Sequence, residues 1–161
     1  MSHPVWRHRA VPEPIAEWQN SFTPPITDLG PVAYLNEPGR YLSVLAAAWL
    51  FNPATVEYRG GVFLEDRFSP DGVDVWSAHL HGDVAAAEAA VNQTVLFDLF
   101  TQVNVDACGE YAAIQLAQAI GECWQGVLAG RYPGRAVSVV VTDEEDGAYG
   151  PTVTFSTAGP G

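Results

Sequence analysis

The pattern of apolar and polar residues along the chain divides it into an irregular first quarter and a patterned remainder. Arg40 to Phe51, RYLSVLAAAWLF, is apolar on nearly every side. It is bracketed by Pro38-Gly39 and Asn52-Pro53, and a residue preceding proline avoids the helical region, so the spacing predicts a helix over 40–51. A helix with so little polar surface is expected to be buried on more than one side. From Thr55 to Phe68 the pattern has period two: Val56, Tyr58, Val62, Leu64 and Phe68 alternate with Glu57, Arg59, Glu65 and Arg67. Only Phe63 breaks it. That is the signature of a half-buried strand, with Gly60-Gly61 marking a bulge or a close backbone approach. Ser69-Pro70-Asp71-Gly72 reads as a turn, after which Val73 to His81 returns as a second, antiparallel strand.

The period then changes. Asp83 is placed as a helix N-cap. Val84, Ala87, Val91, Val95 and Leu99 form an apolar stripe, while Glu88, Asn92 and Gln93 are expected to face away. This helix is predicted to end between Phe100 and Asn104. Asp106 caps a second long helix, Ala107 to Leu128, whose Ala113, Leu116, Ala117, Ile120, Trp124, Val127 and Leu128 recur at three and four residues. Ala136–Thr142 and Thr152–Thr157 are a second hairpin, in which Val137, Val139 and Val141 share a face with Val153 and Phe155. Strands come in pairs rather than alternating singly with helices. The expected fold is therefore α+β: a mainly antiparallel four-stranded sheet of two hairpins with three helices packed on it, a two-layer sandwich.

Residues 1–38 carry seven of the twelve prolines, interspersed with Trp6, Trp18, Phe22 and Tyr34. Proline at this density predicts an extended N-terminal arm whose aromatics pack onto the domain, or onto a second copy as a homodimer. The division expected is an arm over 1–38, one domain over 39–158 and an unstructured tail over 159–161. A chain of 161 residues, nearly half of them hydrophobic, is long enough for one real core.

Charge narrows the function classes. Nineteen acidic residues against seven arginines give a formal charge of −12. Such a surface repels phosphate and disfavours nucleic acid. There is no run of about 18 apolar residues to span a membrane, and prolines follow Arg7 and Arg9 where a secretory signal would have its apolar stretch. The expected compartment is the cytoplasm. Cys108 and Cys123 stand fifteen residues apart in or beside one predicted helix, about 22 Å at helical rise, too far for a disulfide.

The most suggestive chemistry is His79-Leu80-His81-Gly82-Asp83. On a strand His79 and His81 would point the same way, about 7 Å apart, and could share one metal ion such as zinc, with Asp83 as a third ligand. The run begins like the metallo-β-lactamase HxHxDH signature. It departs from that pattern at Val84, where a second adjacent histidine belongs, and the chain lacks the strand-rich repeat of that fold. The structural alternative is two histidines on a polar strand face and an aspartate that caps a helix. His79, His81 and Cys108 are the candidate catalytic residues. Asp106 and Glu110 oppose activation of Cys108. Asp143, Glu144, Glu145 and Asp146 form an acidic loop suited to docking a basic partner.

There is no P-loop, GxGxxG, GxSxG or HExxH motif. The reading that fits best is a non-enzymatic cytoplasmic binding protein with an acidic surface. One concrete version is a neutralising partner of a basic protein, as immunity proteins and antitoxins are. The alternatives are a small metal-dependent or acid–base enzyme at His79, His81 and Asp83, and a small-molecule binder with its pocket between Trp76, Trp124 and the first helix.

Overall fold

In the computed structural model, the residues described are 13–26, 31–36, 40–100, 102–143 and 149–158. They form α1 (Glu13–Asn20), a 3-10 helix (Pro31–Asn36), α2 (Arg40–Phe51), β1 (Thr55–Tyr58), β2 (Gly61–Leu64), α3 (Pro70–His79) and α4 (Val84–Val91). After these come β3 (Thr94–Val95), α5 (Leu96–Leu99), α6 (Gln102–Arg131), β4 (Ala136–Thr142) and β5 (Thr152–Ala158). The class is α+β, and both sheets are antiparallel. The strands do not form one sheet of four: β1 and β2 pair alone, and a second sheet has the order β3-β5-β4.

The stretch expected to be one strand over 55–68 is a hairpin. Arg59 (φ 48°) and Gly60 (φ 83°) both take the left-handed conformation, as a two-residue type I′ turn requires. Cα partners are Val56 with Phe63 and Tyr58 with Gly61. The turn therefore shifts the phase of alternation by one residue. Phe63, the odd residue in the pattern, lies on the same face as Val56 and Tyr58.

The strand expected over Val73–His81 is helix α3. The Ser69 hydroxyl accepts a hydrogen bond from Gly72 N–H, and Pro70 opens the first turn followed by Asp71. The Ser-Pro-Asp run is a helix start rather than a hairpin turn: proline's missing N–H costs nothing at the first helical position, and an aspartate there favours the helix dipole. Asp83 caps α4 as expected, its Oδ1 accepting from Ala86 N–H at 3.0 Å. α4 stops at Val91, far short of Phe100, because Thr94 and Val95 leave the helix to pair with Val153 and Thr152 of β5. α6 begins at Gln102 and runs thirty residues to Arg131.

The 1–38 segment is not wholly extended. Pro14 sits in the first turn of α1 and Pro31 opens the 3-10 helix, positions where proline is tolerated. Trp18 packs edge-on against Phe22 and Tyr34, with ring centroids 5.3 and 5.2 Å apart, and α1 also touches α6.

The second hairpin is the one anticipated, with Val137 opposite Thr157, Val139 opposite Phe155 and Val141 opposite Val153. Its inner face meets α6 across Gly121, where a Cβ would come within 2.7 Å of Val141 Cγ2. Glycine there lets helix and strand approach. Val62, Leu96, Ile120, Trp124, Leu128 and Phe155 make up the centre of the core. Trp124 lies edge-on to Phe155 and donates its indole N–H to Leu50 O at 2.8 Å, which ties the C-terminal end of α2 to the body.

Candidate functional site

The two sheets are joined by side chains. Glu88 on α4 and Asn92 at its C-cap, one helical turn apart, are both 0 % exposed. Glu88 Oε1 accepts from Val62 N–H (2.7 Å) and from the Thr157 hydroxyl (2.6 Å), and Oε2 accepts from Thr157 N–H (2.6 Å). Asn92 Oδ1 accepts from Leu64 N–H at 2.8 Å, while its Nδ2 donates to Val62 O at 2.9 Å and Phe155 O at 3.3 Å. These two side chains occupy the place where a strand-to-strand ladder would join β2 to β5. Both were expected to face solvent. A polar residue on a helix reads as outward, yet here the hydrogen-bonding edges of two strands supply every partner that water would have. The carboxylate is enclosed, held by three donors, and does not line either of two concave regions among the described residues. It is a structural tie and not a candidate base.

The larger concave region is a cleft of ≈ 1070 Å³. One wall is the C-terminal end of α2 and the link to β1, contributing Trp49, Leu50, Asn52 and Pro53. Leu64, Glu65 and Asp66 come from the end of β2 and the turn that follows, Leu99 from α5, and Trp124, Arg131 and Tyr132 from the end of α6. Arg131 is a clasp: Nη1 donates to Pro53 O (2.7 Å) and Thr55 Oγ1 (2.9 Å), and Nη2 to Asn52 Oδ1 (3.0 Å). Tyr132 shares a hydrogen bond with Thr55 Oγ1 at 2.7 Å. Among the described residues Glu65 and Asp66 are exposed and take part in no ion pair; the ion pairs are Arg59–Asp74 and Arg135–Glu57.

Beside the cleft, α2 inverts the expectation that it is buried on more than one side. Tyr41, Leu42 and Trp49 are 79 %, 71 % and 79 % exposed, and Val44 and Leu45 are exposed as well. Among its described side chains only Ala47, Leu50 and Phe51 are half-buried, and Leu50 and Phe51 pack on the core.

The histidines are not placed as a strand would place them. His79 is the last residue of α3, exposed, with its ring edge-on to Trp76 at 6.0 Å. His81 is exposed in the left-handed conformation at φ 55°. Asp83 is engaged in capping. The alternation that put both imidazoles on one face does not exist, because α3 is a helix. Among the described residues no group of three or more His, Cys, Asp or Glu side chains is arranged to hold a metal ion. Cys108 lies on α6 with its side chain outside the described residues, and Cys123 is a free, half-buried thiol. Asp143 follows β4, while Glu144, Glu145 and Asp146 lie outside the described residues. Trp76 and Trp124 do not share a pocket: Trp124 lines the cleft, and Trp76 lines a separate hollow of ≈ 370 Å³ with Arg67, Gln93 and Asp98.

No family model, no curated protein and no solved structure matches this chain. Fold and site define an α+β protein with a sealed polar seam and an open aromatic cleft beside an apolar helix whose outer residues are exposed.

Proposed function

We propose that the protein acts by contact rather than by chemistry: it binds a basic partner protein through the outer face of α2 and the mouth of the adjoining cleft. The observation that carries this reading is the exposure of Tyr41, Leu42, Leu45 and Trp49 on one helix. Leu42, Leu45 and Trp49 fall at i, i+3 and i+7, the anchor spacing of a helix laid into an apolar groove. Together with Tyr41 and Val44 they offer roughly 500–700 Å² of apolar surface, close to one side of a standard protein interface of ~800 Å². Left open, such a patch is an aggregation liability.

Charge selects the partner. The chain carries −12, so a second copy and an anionic membrane are both repelled. An interfacial membrane helix would carry lysine and arginine along its polar side; α2 has a single cation, Arg40. No described helix is long and apolar enough to cross a membrane. A groove with a basic rim is the complement that remains.

The test is a titration with a synthetic amphipathic helix of leucine and lysine, and with its leucine–glutamate counterpart, followed by tryptophan fluorescence. The lysine peptide should bind in a salt-sensitive manner and the glutamate peptide should not. Leu42→Glu with Leu45→Glu should weaken binding at least about ten-fold. Electrostatics alone would strengthen it, because the variant adds two negative charges. Undiminished affinity would therefore overturn the assignment of the interface to α2.

A further inference from the structure

Resting on that reading, we infer that the cleft beside Trp49 receives an arginine side chain of the partner: a planar cation on an apolar stem, stacked on Trp49 and paired with Glu65 and Asp66.

The chemistry of the walls leads there. The cleft combines an aromatic and aliphatic lining with two carboxylates that have no counter-charge among the described residues. Aromatic faces and uncompensated carboxylates together recognise organic cations, the ring through its quadrupole and the carboxylate through charge-assisted hydrogen bonds. The cleft's own cation, Arg131, does not fill this role. Its guanidinium is already committed to Pro53 O, Thr55 Oγ1 and Asn52 Oδ1, where it fixes the α2–β1 link. With Glu65, Asp66 and Arg131 the lining keeps a net negative charge, in a molecule whose overall charge is −12. A carboxylate ligand is disfavoured on both counts, and a neutral one leaves Glu65 and Asp66 unanswered. Arginine is preferred to lysine because its planar group stacks on an indole and grips a carboxylate with two parallel donors. Position fits as well. Trp49 belongs both to the exposed face of α2 and to the cleft lining, so a partner lying on α2 has the cleft within reach of one long side chain.

The experiment uses the full chain and two small probes, N-acetyl-arginine amide and its neutral isostere N-acetyl-citrulline amide, read by the indole N–H resonances of Trp49 and Trp124. The arginine probe should shift both signals saturably in the millimolar range. The citrulline probe should bind at least about five-fold more weakly, and Glu65→Gln with Asp66→Asn should reduce arginine binding by a similar factor. Equal binding of both probes, an unaffected double variant, or no shift with arginine overturns the inference. If arginine fails while the leucine–lysine helix still binds α2, the cleft assignment falls and the docking reading stands. If arginine binds and the helix does not, the cleft stands as a cation site and the docking reading falls.

Discussion

The α4 seam and the α2 face invert the usual order of a protein in opposite senses. At the seam a carboxylate and an amide are wholly buried, and six hydrogen bonds to Glu88 and Asn92 satisfy them. On α2 two aromatics and three aliphatics are exposed to water, Tyr41, Leu42 and Trp49 most of all. The contrast separates two uses of a misplaced residue. A buried polar group with every partner inside the fold contributes to architecture. An exposed apolar group without a cover among the described residues is the feature on which the docking proposal rests. Misplacement alone does not mark function; the location of the missing partner does.

That contrast can be broken by mutation. The largest effect should come from Glu88→Ala, which strands two buried backbone N–H groups and a hydroxyl. A loss of about 4 kcal/mol in urea unfolding is expected, enough to threaten folding in a domain of this size. Asn92→Ala removes one acceptor and two donors from the same seam and should cost about 2–3 kcal/mol by the same measurement. Asp83→Ala deletes only the α4 cap and should cost about 1 kcal/mol. Trp49→Ser sits at the other pole. Its stability should stay within about 0.5 kcal/mol of the parent, while affinity for the leucine–lysine helix falls. If Trp49→Ser destabilised as much as Asn92→Ala, α2 would be part of the core and the comparison would collapse.

Parts of this arrangement were legible in the sequence and parts were not, for identifiable reasons. The β4–β5 hairpin and the Asp83 cap follow from short-range rules, alternation and capping, that no distant contact overrides. The β1–β2 hairpin reads as one strand because its turn takes only two residues; the signs of it are Gly60-Gly61 and Phe63 falling out of phase. α3 reads as a strand because Trp76, Ala78 and Leu80 fall at alternate positions by accident, over a segment whose Ser69-Pro70-Asp71 start also fits a turn. Glu88 and Asn92 could not be read as buried, since their partners lie in strands 26 to 69 residues away. Their i, i+4 spacing was the only local hint. The cleft joins the ends of β2, α2 and α6 with α5, an assembly that no window of sequence contains. The apolar character of α2 was plain, but apolar patterning does not say whether the covering surface belongs to the same chain or to another.

The seam also couples the two sheets to a single short helix. Each hairpin is a local structure, able to close on its own neighbours in sequence. In the folded protein Glu88 and Asn92 stand between them and hydrogen-bond to both. The amide protons of Val62, Leu64 and Thr157, from strands on either side of α4 in the sequence, are held by Glu88 of that helix and Asn92 at its C-cap. They should therefore lose their protection from solvent exchange together, at a single rate set by the departure of α4.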